Sequence, residues 1–154
     1  MTATPFARTR TVIGVVVVAI FAILFVRAQL ILKPQAIQHH GSLEAAWRSI
    51  HHPDGAVLRD EHNSRRSAHV LVGGSFNAPF SYRDLRAHYD GALAAIGWRF
   101  RSERPLRDWG RDLGGQIATY CNGDEAATLQ FAGERANYGW TYGLDFTWGS
   151  AECE

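Results

Sequence analysis

The sequence predicts an α+β protein: one N-terminal transmembrane helix followed by an antiparallel sheet packed against one long helix. Three observations predict it. An apolar run near the N-terminus is long enough to span a bilayer, residues 82–97 carry apolar side chains at helical spacing, and residues 140–148 alternate apolar with small or polar ones. The 154 residues leave room for one ordinary domain and an anchor, not for two domains. The expected organisation is a cytoplasmic N-terminus at 1–11, a transmembrane helix at 12–32, a linker at 33–41 and an exported α+β domain at 42–154.

The N-terminal run VIGVVVVAIFAILFV, residues 12–26, contains no charge and follows Arg8 and Arg10. Apolar character resumes after Arg27 and stops at Lys33-Pro34. Residues 12–32 would form a helix of about 31 Å, matching a hydrocarbon core of about 30 Å. Arg27 then lies near the end of the span, where its side chain reaches the headgroups. The competing expectation is a signal peptide cut after Ala28, because Val26-Arg27-Ala28 offers small or apolar residues at the positions a signal peptidase inspects. Retention with the N-terminus inside is preferred, on the length of the run and the arginines that precede it.

Charge separates the two parts of the chain. No acid precedes Glu44, whereas from Pro34 onward 12 arginines face 15 carboxylates, a net of 12 − 15 = −3. Nucleic-acid binding needs a basic face, which such a domain as a whole does not provide.

Within the exported part, residues 42–50 read as a brief helix capped by Ser42, with Leu43, Ala46, Trp47 and Ile50 at helical spacing. His51-His52-Pro53-Asp54-Gly55 ends it. Residues 56–60 and 68–72 read as two strands around a polar turn at 61–66, and Gly73-Gly74 as the break after them. Ser81 and Asp84 have the form of a capping box opening a helix whose apolar face is Leu85, Tyr89, Ala92, Leu93 and Ile96, with Gly97 at its C-terminal end. Residues 102–115, rich in Arg, Asp and Gly, read as a long loop. Asn122-Gly123-Asp124-Glu125 is a hairpin turn between strands at 116–121 and 126–131. The last strand presents Trp140, Tyr142, Leu144, Phe146 and Trp148 on one face. The helix-to-strand junction made by Tyr89, Leu93, Gly97 and Trp98 resembles a pattern found in uncharacterised exported or membrane-anchored bacterial domains. The resemblance implies a similar helix-to-strand transition and no particular activity.

Cys121 and Cys153 are the only cysteines. An oxidising compartment would let them close a loop of about thirty residues, pinning the C-terminal tail to the sheet. The histidines His39, His40, His51, His52, His62, His69 and His88 invite a metal reading, but no HExxH, CxxC or i, i+4 pair accompanies them. They read as polar residues near loops and helix ends. Gly73-Gly74-Ser75 lacks the G-x-S-x-G form of a nucleophile elbow, and no phosphate-binding glycine loop occurs.

No catalytic, cofactor-binding or metal residue is expected. The stretch bearing Arg104, Arg107, Trp109 and Arg111 mixes the residue types favoured at protein contacts. With Arg27 in the membrane, these residues form the expected interface. The expected role is a non-catalytic, single-pass accessory subunit of a larger membrane protein complex, its domain outside a bacterial inner membrane; respiratory and photosynthetic assemblies are natural settings. The alternative is an envelope module that binds a small molecule or metal, tethered or released after cleavage.

Overall fold

The computed structural model describes residues 5–27, 30 and 33–153, with the backbone alone for residues 5–15, 33 and 108. The described residues form an α+β structure of three helices and one six-stranded antiparallel sheet. The helices are α1 (Pro5–Arg27), α2 (Lys33–Ser49) and α3 (Tyr82–Ala95). The strands are β1 (Val57–Arg66), β2 (His69–Asn77), β3 (Arg99–Asp108), β4 (Arg111–Asn122), β5 (Glu125–Phe131) and β6 (Tyr142–Trp148).

The sheet order is β1-β2-β6-β5-β4-β3. After the β1–β2 hairpin, α3 carries the chain to the far edge, and a meander through β3, β4 and β5 brings β6 back into the middle. The most apolar strands therefore occupy the centre. Tyr142, Leu144 and Phe146 of β6 lie beside Phe76 and Val72 of β2 on one side and Phe131, Leu129 and Ala127 of β5 on the other. All are buried, on the face covered by α2 and α3.

Helix α3 follows from local chemistry. The Ser81 hydroxyl accepts the Asp84 amide, satisfying one of the orphan donors of the first turn. Leu85, Tyr89 and Leu93, four residues apart, are its buried face. The helix stops at Gly97, whose φ of +89° a side chain would resist, while Trp98 N–H donates to the Leu93 carbonyl and turns the chain into β3. Arg86, on the same helix, lays its guanidinium over Phe100 at 4.4 Å and pairs with Asp90 and Glu103, tying α3 to β3.

Four expectations are corrected. Two helices pack on the sheet rather than one long one, because α2 extends nine residues upstream of the predicted Ser42 start. The segment 33–41, expected to be a linker, is its first half. Ala36 is buried there, and His39 stacks on the Trp148 indole at 4.6 Å, contacts that outweigh a polar local sequence. Residues 61–66 are strand rather than turn; the hairpin closes through Ser67 and Ala68. Gly73 and Gly74 continue β2 rather than ending it. A β-carbon on Gly73 would collide with Asp145 and the Leu144 carbonyl, and one on Gly74 would meet the Asp60 carbonyl and the Trp47 ring. The pair is thus a closely covered part of the sheet.

The fourth correction concerns 102–115, expected to be a loop. It is a hairpin formed by β3 and β4, with only Trp109 and Gly110 at its tip. Pairing of β4 with β5 begins at Gln116 opposite Phe131, and residues 131–135 cover 113–115, so residues 107–112 project past the rest of the sheet as an arm. The described side chains of the arm are exposed, and apart from Trp109 and Gly110 its residues are charged.

No helix among the described residues is long and apolar enough to cross a membrane. The expected span 12–32 lies partly outside them, at residues 28, 29, 31 and 32 and at the side chains of 12–15.

Candidate interaction surface and buried polar clusters

The β3–β4 hairpin carries four of the five residues expected at an interface, three of them in the arm and Arg104 below it. Arg104 and Arg107 lie on β3, Arg111 on β4, and Trp109 at the tip; all four are exposed. Arg104 pairs with Glu152 at 3.4 Å, and Asp112, opposite Arg107 in register, is reached by Arg135 at 3.6 Å. Arg27, at the end of α1, is exposed and separate from this group.

Trp109 is the unusual residue of the arm. Both tip residues have positive φ, +49° for Trp109 and +82° for Gly110, as a two-residue hairpin of this twist requires. Asparagine or aspartate takes the first position of such a turn at least cost; a bulky residue there is strained. The indole is 95 % exposed, so folding recovers no burial energy from it. An alternative role for this tryptophan, covering the edge of the core, is excluded by that exposure.

Cys121 at the end of β4 and Cys153 in the tail are joined as a disulfide, their Cα atoms 5.7 Å apart. The tail crosses the face of the sheet opposite the helices. There Glu152 accepts from the Thr128 hydroxyl at 3.1 Å and Thr128 is buried.

The histidines that spacing left unassigned are built into polar clusters. On the open face, His62 of β1 donates to Asp145 of β6 at 2.6 Å across the bare backbone of Gly73, and Gln130 donates to the other carboxylate oxygen at 3.4 Å. Burial raises the Asp145 pKa and the His62 contact opposes that rise. At the start of α2, His39 donates to the buried carboxylate of Glu125 at 2.8 Å, which also accepts from Ser42, while Trp148 donates to Asp124. Beneath α3, His52, Tyr89 and Tyr142 form a chain at 2.8 and 3.0 Å. His51 does not converge with His52: its carbonyl accepts from His88 instead.

Each cluster joins two or more elements, and none of these histidines bonds a serine, threonine or cysteine nucleophile. Among the described residues, no group of three or more His, Cys, Asp or Glu side chains is arranged to hold a metal ion. Ser75, in β2, lies in regular strand rather than at an elbow. One sequence signal for the open-face cluster existed: Asp145 interrupts the apolar face of no strand, so its partner had to be sought on the other side, opposite a glycine.

The His52 chain has a measurable consequence. Burial, then the neighbouring His88 and His51, lower its pKa from 6.5 to about 4. Below pH 6.5 the unfolded chain takes up a proton that the folded chain refuses. The contribution is therefore intact above pH 6.5 and is lost as pH falls towards 4. Because the ring is only half-buried, screening reduces the loss to about 1–2 kcal/mol. Urea midpoints at pH 7.5 and 4.5 should differ by less in His52→Gln than in the native chain; an unchanged difference would assign the effect elsewhere.

Fold and surface together define a class: a six-stranded antiparallel α+β domain with a projecting, tryptophan-tipped hairpin, preceded by an apolar helix. No family model matches the chain, and no curated protein or solved structure matches it either.

Proposed function

We propose that this chain is a non-catalytic, single-pass accessory subunit of a larger membrane protein complex. Its helix spans a bacterial inner membrane with the N-terminus inside, and its domain makes protein contacts outside through the β3–β4 arm. The observation that carries the contact is Trp109. A strained, fully solvated tryptophan is costly to the isolated domain, and its benefit has to come from a partner that buries it. Arg104, Arg107 and Arg111 around it supply the charged rim such contacts use.

The anchor rests on the sequence run and on α1. Its described side chains at 16–26 are apolar on every side and exposed, and a helix apolar all round needs an apolar surrounding. Continuation of the run through Leu32 gives the length a span needs. Arg8 and Arg10 ahead of it favour the orientation, and a disulfide in the domain fits an oxidising exterior.

The test is purification of the full chain in mild detergent from its native membrane, followed by intact-mass measurement of the assembly. Other polypeptides should co-purify stoichiometrically. Trp109→Ala should weaken their association roughly 30-fold or more, the effect of losing an interface anchor worth about 2 kcal/mol or more. Recovery of the chain without any other polypeptide, or an undiminished complex with Trp109→Ala, would sink the proposal.

A further inference from the structure

The sheet has two edges, and they are built differently. β3 is broken by irregularities at Phe100/Ser102 and Leu106/Arg107 and carries Pro105, devices that stop a strand from accepting another. β1 has no proline. Past an irregularity at Leu58/Asp60, its register with β2 runs unbroken from Asp60 opposite Ser75 to Arg66 opposite His69. This segment offers a regular outer row of backbone donors and acceptors.

Charge on an edge strand ordinarily repels other strands. Here the order of charge does the opposite for one partner. Residues 60–66 read Asp, Glu, His, Asn, Ser, Arg, Arg. Antiparallel pairing with an identical strand about Asn63 sets Asp60 against Arg66 and Glu61 against Arg65. Symmetry doubles these to four opposite-charge pairs. A shift of one residue one way leaves two such pairs and sets Arg59 against Arg66; the other way leaves two pairs alone. A shift of two in either direction leaves none. Residues directly opposite share a face in such a pair. The register with β2 meets that condition, placing Glu61 and Arg65 on the helix side and Asp60 and Arg66 on the open side.

The groups are also available. Asp60, Arg65 and Arg66 make no side-chain hydrogen bond or ion pair within the described residues. Glu61 uses only Oε1, accepting from the Trp47 indole at 2.8 Å. We propose that a second copy of this chain docks along β1, about a twofold axis through Asn63, making one continuous sheet across the dimer. This inference does not depend on the membrane-complex reading.

The experiment uses the full chain in mild detergent. Asn63→Cys places two thiols directly opposite each other, within the Cα separation a disulfide needs, while the native cysteines are already paired. It should form a covalent dimer at least tenfold faster than Asp60→Cys, whose copies would lie far apart. R65E/R66E should weaken the dimer at least tenfold at low salt, D60R/E61R should do the same, and an equimolar mixture of the two should recover a heterodimer, because one chain is then acidic and the other basic at all four positions and every pair is again of opposite charge. Equal cross-linking rates at positions 63 and 60 would overturn the proposal. So would a dimer indifferent to R65E/R66E, or a mixture that recovers no heterodimer; the cross-linking comparison stands even if the charge-reversed chains fold poorly.

Discussion

Trp47→Ala is expected to destabilise the domain by about 3–5 kcal/mol, the range for emptying a large aromatic site in a packed core. Trp47 is 9 % exposed and sits on α2 against β2. Its ring lies over the unsubstituted Gly74 and faces His52, Phe76 and Phe146 at centroid distances of 5.0, 6.0 and 6.4 Å. Truncation removes the area that holds α2 to the sheet and the indole donor that ties α2 to Glu61 of β1. Trp47→Phe should recover more than half of the loss, since the remaining deficit is one hydrogen bond and part of a ring. Urea denaturation followed by far-ultraviolet circular dichroism measures both. A loss below 1 kcal/mol for the alanine variant would mean that α2 contributes little to the fold.

Replacing Cys121 and Cys153 together by serine should cost roughly 3–4 kcal/mol, the chain-entropy value for a loop of this length. Their separation is 32 residues, and the bridge restrains the tail that lies over Thr128. The melting temperature should fall by about 10 °C, and the native chain treated with reductant should fall to the same value. If the double variant melts within 2–3 °C of the native chain, the tail contacts alone hold the tail in place.

What could be read in advance follows from which elements have one wet and one dry face. Helix α3 and strand β6 show Leu85, Tyr89 and Leu93, and Tyr142, Leu144, Phe146 and Trp148, at intervals that only a half-buried helix and a half-buried strand produce. The β4–β5 turn is announced by Asn122 and Gly123. Residues 61–66 and 102–115 gave no such signal. They form an edge strand and the hairpin that carries the projecting arm, both solvated widely enough that no alternation is imposed. The start of α2 was hidden for another reason: its helix is stabilised by His39 against Trp148 and Glu125, residues more than eighty positions away. For the candidate surface, composition singled out Arg104, Arg107, Trp109 and Arg111, but only the structure showed that they share one hairpin with the tryptophan at its tip.

The α+β class, the position of α3, the last strand and the two cysteines available to pair are legible in the sequence alone, because each depends on local periodicity or residue count. The tertiary structure decided the insertion of β6 between β2 and β5, the helical state of 33–41, the histidine clusters and the unequal construction of the two sheet edges. These depend on contacts between residues far apart in the chain, and the energy that selects them exists only once the sheet brings those residues together.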